Sequence, residues 1–184
     1  MKSNVPKVLQ TVGGQPMIIH VLDTALQLQP AGIHVVFNPK TPEVRESCAG
    51  YDITWAAQVQ QLGTGHAVQQ AMPGVPGDAN VLILYGDIPL LESDVLRNLV
   101  ESPSSGIKVL TMDITDPTGY GRIVRDENGN VTGIVEERDA TEAQRAITEV
   151  NSGIIVAKRS DLLSCLENMA SDNSQNEYYL TDVI

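Results

Sequence analysis

The residues able to do chemistry stand where apolar runs break. Asp87 follows Val81-Leu-Ile-Leu-Tyr85 and lies between Gly86 and Pro89. An apolar run of that length reads as a buried strand, glycine permits an abrupt turn, and proline ends pairing. Asp87 is therefore expected just past the carboxyl end of a central strand, where open α/β sheets bind ligands. A carboxylate there suits a hard cation such as Mg²⁺ carrying substrate phosphates; the plainer alternative is a turn cap. Gln58 precedes the loop Gly63-Thr-Gly65, and Ala67, Val68, Ala71 and Met72 give the following segment a helical apolar face. Backbone N–H groups of such a loop can hold an anion or a nucleobase edge, with Thr64 as the helix N-cap. It is neither G-x-x-x-x-G-K-[ST] nor G-x-G-x-x-G, so alone it is a generic glycine loop. Gly119-Tyr-Gly121, Glu136 and Asn151 stand at further strand ends. Lys7, directly after Pro6, is either a fixed cation or an ordinary surface lysine. His66 reads as a helix-start histidine making a local hydrogen bond.

This set offers one hard-cation ligand, one base-edge reader and several neutral hydroxyl binders. It suits a nucleotide plus a sugar better than a redox cofactor. No Gly-x-Ser-x-Gly or serine–histidine–carboxylate pattern is visible. Asp87 and Glu136 could be drawn as a glycosidase pair, but nothing in their spacing favours it. Net charge is −11, from 12 basic and 23 acidic residues, which argues against nucleic acid and anionic membrane as partners. No apolar run approaches the roughly 18 residues of a membrane span. Cys48 and Cys165 lie far apart with no metal spacing. They read as buried apolar residues in reducing, cytoplasmic conditions.

The elements that must position these residues alternate strand and helix. A helix from Pro16 carries Met17, Ile18, Val21, Leu22, Ala25 and Leu28 on one face and stops at Pro30 and Gly32. Strands are expected over 33–37, 53–57, 81–85 and 107–113, with helices over 42–49 and 93–101. That order points to parallel βαβ architecture. The pattern then changes. Residues 123–125 and 131–136 flank Asn128-Gly129, a hairpin signal. A short helix over 141–147, a strand over 150–157 and a helix capped by Ser160 complete one domain over 1–184. The fold class is α/β, with helices flanking the sheet and a β-hairpin on one side.

Seven motifs stand in a recognisable order: Pro-Lys7-Val-Leu, Gln-Leu-Gly-Thr-Gly-His66, Leu-Tyr-Gly-Asp87-Ile-Pro-Leu, Asp-Pro-Thr-Gly-Tyr-Gly121-Arg-Ile, Gly-Ile-Val-Glu136, Glu-Val-Asn151-Ser-Gly and Glu-Tyr-Tyr-Leu-Thr181-Asp. Together they resemble the pyrophosphorylase (uridyltransferase) domain of the bacterial bifunctional GlmU enzymes. The resemblance implies a nucleotidyltransferase of the nucleotide-diphospho-sugar type, with a Rossmann-like, mostly parallel mixed sheet flanked by helices. It would form UDP-N-acetylglucosamine, a cell-wall precursor, and pyrophosphate from UTP and N-acetylglucosamine 1-phosphate, with Mg²⁺. By position, Gln58, Gly63 and Thr64 resemble the uracil readers. Asp87 resembles the metal ligand and Lys7 the cation near the phosphates. Gly121, Glu136, Asn151 and Thr181 resemble sugar-side contacts, and Tyr85 joins the substrate contacts. A homo-oligomer is also compatible.

The resemblance departs at both ends and once between. A strand and a glycine-rich loop, roughly L-A-A-G-x-G-T-R-M, are expected before Met1. A second metal ligand and a β-helix acetyltransferase domain are expected after Ile184. Phe37-Asn-Pro-Lys40 replaces a glycine-rich turn. Without that strand the sheet needs a preceding segment, a strand lent by another chain, or direct pairing of residues 33–37 with 81–85. For the 184 residues alone, an exposed edge, self-association and weak or no activity are expected. Two alternatives stand beside the uridyltransferase: a related enzyme with another base or sugar, and a non-catalytic fragment that binds a sugar nucleotide or a partner.

Overall fold

The computed structural model describes residues 5–102, 106–169, 173 and 175–184. After a 3-10 turn at Lys7–Leu9, a two-stranded hairpin, β1 (Thr11–Val12) with β2 (Gln15–Pro16), leads into α1 (Met17–Leu26). Pro16 precedes the first helical residue, where its missing N–H costs nothing. Ile18, Ile19, Val21 and Leu22 face inward. β3 (His34–Phe37) and β4 (Thr54–Ala57) pair in parallel across the short α2 (Glu43–Ser47), a minimal βαβ unit as the alternation predicts. Next come α3 (Thr64–Ala71), β5 (Asn80–Ile83), α4 (Ser93–Glu101), β6 (Lys108–Asp113) and the hairpin of β7 (Arg122–Arg125) and β8 (Val131–Val135). In its turn Gly129 has φ 83°, and the Asp126 carboxylate accepts the N–H groups of Asn128 and Asn130. α5 (Glu142–Arg145) begins with a reciprocal cap between Thr141 and Gln144. The long β9 (Glu149–Lys158) and α6 (Arg159–Glu167) follow, and a 3-10 turn lies at Leu180–Val183.

The architecture is mixed α/β, but β9 changes the balance of strand directions. β5 and β6 both pair antiparallel with β9 at Ile155 and Val156, so they must occupy opposite edges of it. β7 meets β9 opposite Val150, where β6 also pairs, and so shares the β5 side. β5 and β6 thus run parallel to each other with an antiparallel strand between them, and β3 with β4 is the parallel ladder among the described residues. The expectation that 81–85 is flanked by parallel neighbours is corrected accordingly. β9 contains Val150, Ile154, Ile155, Val156 and Ala157, all buried, and is the centre of the sheet.

β3 and β5 are not paired with each other. β3 pairs with β4 and β5 with β9, in two separate sheets. Direct pairing of 33–37 with 81–85 is therefore ruled out in this structure. The core is correspondingly divided. One cluster gathers Met72, Ile155, Ala157, Leu162, Leu166 and Leu180; the other gathers Ile18, Ile19, Leu22, Val44 and Cys48. β3 and β5 residues are half-buried at best, although their sequences are apolar enough for full burial. Cys48 is buried as expected, whereas Cys165 is only half-buried. Ser160 does not cap α6, which begins one residue earlier at Arg159; its hydroxyl donates to Asp161. No helix among the described residues is long and apolar enough to cross a membrane.

Candidate active site

The hairpin assembles one side of the site by register alone. Arg122 lies opposite Val135, so Gly121 and Glu136 face each other one step beyond the ladder. Arg122 also lies opposite Val150, which brings Gly121 next to Asn151; the Asn151 N–H donates to the Gly121 carbonyl at 2.8 Å. A Cβ on Gly121 would lie 2.9 Å from Ile134 and 3.3 Å from the Glu136 carboxylate. Glycine is required there by close approach. The Asn151 side chain turns back to accept the N–H of Gly153 at 2.9 Å. Thr181, from the last 3-10 turn, donates its hydroxyl to Glu136 Oε1 at 3.2 Å. Gly121, Glu136, Asn151 and Thr181 thus converge, as the resemblance implies. Burial holds the Glu136 carboxyl above the ordinary carboxylate range; Thr181 opposes the shift, and Asp139 and Asp182 add to it.

Lys7 and Asp87 meet on another side. Pro6 holds the turn that presents Lys7, and its carbonyl accepts the Leu9 N–H. The Lys7 ammonium lies 2.5 Å from Asp87 Oδ2, with side chains 65% and 24% exposed. Asp87 lies beyond the end of β5, as expected, but Gly86 is not in the left-handed region. Its lack of a side chain instead admits Val8, whose Cγ1 would lie 3.3 Å from an added Cβ. Among the described residues no group of three or more His, Cys, Asp or Glu side chains could cage a metal. One partly exposed carboxylate fits a cation that also takes phosphate oxygens and water, which is how Mg²⁺ usually binds with nucleotides.

The glycine loop differs from expectation in an informative way. Gly63 is the cap of α3, with φ 111°, and Thr64 is the first helical residue and makes no side-chain cap bond. The Thr64 hydroxyl instead accepts the Leu180 N–H at 2.9 Å. Gly65 N–H donates to the Tyr178 carbonyl, and Tyr178 N–H to the Leu62 carbonyl, both at 2.8 Å. A Cβ on Gly63 would lie 2.5 Å from the Tyr178 carbonyl oxygen, and one on Gly65 would strike Met169. The glycines are therefore needed to admit the chain's own segment at 178–180. Gln58 donates through Nε2 to the Gly63 carbonyl and meets His66 Nδ1, both at 3.0 Å. His66 makes the local contact expected of it. The NH₂ group of Gln58 is thus committed to the loop.

Tyr85 is the junction of the three parts. Its ring packs over Gly153, where an added Cβ would lie 2.7 Å away, and Gly153 has φ 83°. Burial raises the phenol's pKa; the neighbouring Thr64 hydroxyl opposes this, and the charges of Glu136 and Asp87 reinforce it. Tyr85 therefore lies within electrostatic reach of the glycine loop, the hairpin end and the Lys7–Asp87 pair.

One contributor was missed by sequence reasoning. Arg122 is 1% exposed, pairs with Glu137 at 2.5 Å, and also donates to the Tyr120 carbonyl and to the Arg145 carbonyl. Glu137 in turn accepts the Gly119 N–H. This ion pair pins the Gly119–Gly121 loop to the end of β8. The signal was an arginine directly after Gly-Tyr-Gly.

Comparison with known proteins places the chain in a family. The chain is 48% identical to the Bifunctional protein GlmU of Alkalilimnicola ehrlichii, 52% to that of Stenotrophomonas maltophilia and 50% to that of Xanthomonas oryzae pv. oryzae. Each match covers all of this chain and 40% of the relative, so the chain spans less than half the length of those proteins. A solved UDP-glucose pyrophosphorylase complexed with UDP-glucose superposes with a TM-score of 0.74 over 97% of this chain and 77% of that one. At 13% identity, that likeness shows a shared fold. The family described as the MobA-like NTP transferase domain matches residues 1–174, and this chain belongs to it.

Proposed function

We propose that this domain transfers a uridylyl group from UTP to N-acetylglucosamine 1-phosphate, giving UDP-N-acetylglucosamine and pyrophosphate. The observation that carries the reading is the three-part site: a sugar-side cluster at Gly121, Glu136, Asn151 and Thr181, a glycine loop held by Gln58, and the Lys7–Asp87 pair, joined at Tyr85. The resemblance of the seven motifs to the GlmU pyrophosphorylase domain supplies the substrate choice. A phosphate oxygen of the sugar phosphate attacks the α-phosphorus of UTP, the bond to the bridging oxygen breaks, and pyrophosphate leaves with that electron pair. Such in-line transfer needs positioning and charge neutralisation more than covalent help. Glu136 and Asn151 hold the sugar, Gln58 Oε1 accepts from the base, and Lys7 supplies a fixed positive charge at the phosphates. Asp87 would hold Mg²⁺, which supplies neutralisation of the charge developing on the phosphates.

The test is Asp87→Asn in the natural protein that carries this chain, followed by pyrophosphate release. The nearly isosteric change is expected to keep the fold and abolish turnover. A wild-type rate at saturating Mg²⁺ would show that Asp87 is a turn residue. A second reading, a different base, draws on the commitment of the Gln58 NH₂ to Gly63 and His66. A base reader with one free acceptor discriminates less than one with a donor and an acceptor. Assay against a panel of nucleoside triphosphates decides this, and strict preference for UTP excludes it.

A further inference from the structure

The segment at 178–181 touches both halves of the site. On the nucleotide side it is bound three times: Tyr178 N–H to Leu62, Gly65 N–H to Tyr178, and Leu180 N–H to the Thr64 hydroxyl. One residue later, Thr181 donates to Glu136 on the sugar side. Leu180 and Val183 anchor the turn in the larger core cluster, at 2% and 6% exposure. The distance from loop to carboxylate is thus bridged by a short, hydrogen-bonded, well-packed piece of backbone with little freedom to absorb a shift at either end. Gly63 and Gly65 leave no room for the segment to move closer.

We infer that the segment at 178–181 is a latch coupling the two substrate half-sites, and that Thr64 and Leu180 are positioning residues for the sugar-side carboxylate. This rests on the proposed function above. Ordering of the glycine loop by a nucleotide fixes Leu180 and hence the Thr181 hydroxyl on Glu136, so the two ligands bind with positive coupling. Coupling is reciprocal, so the sugar phosphate favours the nucleotide by the same factor.

The experiment uses uridine 5′-monophosphate and N-acetylglucosamine 1-phosphate as probes, which together cannot react, and reads each Kd calorimetrically with and without the other. In the wild type each probe is expected to tighten the other by about 5–10-fold, the lower end of typical allosteric coupling. Thr64→Val removes the acceptor for Leu180 N–H. It is expected to weaken the sugar-phosphate probe and to abolish the coupling, although it lies on the nucleotide side. Thr64→Ser restores the hydroxyl and should recover both. Combining Thr64→Val with Thr181→Val should cost the sugar-phosphate probe no more than Thr181→Val alone. If both probes bind but Thr64→Val weakens only the nucleotide, or the two losses add, the latch is wrong and the function stands. If the wild type binds neither probe, the proposed function fails and the latch with it.

Discussion

At the residue scale, the two neighbouring carboxylates Glu136 and Glu137 are driven in opposite directions. Burial raises Glu136, so over a window above the ordinary carboxylate value the folded state keeps a proton that the unfolded state has lost. Stability therefore falls as pH rises through that window. Glu136→Gln is expected to be more stable than the wild type at neutral pH, with the gap closing as pH falls toward the ordinary carboxylate range. Urea titrations across pH measure this, and a gap that widens in acid would contradict it. Glu137 is lowered, chiefly by its hydrogen bond from Arg122, so its contribution is present above the unfolded value and lost on acidification. Arg122 carries the larger consequence because its guanidinium is buried while Glu137 is partly exposed. Arg122→Met removes the buried donor shared by the Glu137 carboxylate and the Tyr120 carbonyl, leaving Glu137 with the Gly119 N–H and the more distant Arg145. A loss of about 3 kcal/mol is expected, at the low end of the range for breaking a buried pair. Arg122→Lys should recover little, since a single ammonium cannot reproduce the fork. Full recovery by lysine in a denaturation series would show that charge alone matters.

At the element scale, β9 is where the sheet and the site are tied together. It pairs on both edges, and its register with β6 slips between Val109 and Thr111, opposite the stretch that contains Gly153. Ser152 fastens the irregularity through its hydroxyl to the Leu110 carbonyl at 2.7 Å. The bend lets the Tyr85 ring lie on Gly153, where a positive φ and a bare Cα are both needed. Gly153→Ala is therefore expected to cost about 1–3 kcal/mol from the backbone alone. Displacement of Tyr85 should lower activity further. Tyr85→Phe, which keeps the ring, should restore none of that stability in the double variant. Thermal melts of the two single variants and the double variant decide this; an unchanged melting temperature for Gly153→Ala would refute the packing argument.

At the scale of the whole molecule, the described residues hold the β1–β2 hairpin, the β3–β4 sheet and the five-stranded sheet around β9, with two core clusters, and no ladder joins the three sheets. β3 and β5 each have one paired neighbour among the described residues. Buried backbone groups left unpaired cost roughly 1–3 kcal/mol each, and a domain's net stability is only about 5–15 kcal/mol. Hydrogen exchange should therefore be slowest in β9 and markedly faster in β3 and β5. Uniform protection across the three strands would contradict the divided sheet. Open strand edges also invite pairing between copies. The 184-residue chain is expected to sediment as a dimer or larger species, and a monodisperse monomer would overturn that expectation.

Much of this was determined by local sequence. Apolar runs and their breakers located β3, β4, β5, β6 and the hairpin within a residue or two, because strand periodicity and turn chemistry are properties of adjacent residues. The same breaks marked Asp87, Gly121 and Glu136 beside strand ends, whereas Asn151 lies within β9. Strand direction was not legible, since β9 inserts between β5 and β6 from far along the chain. Nor was the purpose of the Gly63–Gly65 glycines, which clear space for Tyr178 more than a hundred residues later. The burial of Arg122 was not legible either, because its partners Glu137 and Arg145 lie further along the chain. Those facts depend on contacts distant in sequence, and only the packed chain brings the partners within hydrogen-bonding distance.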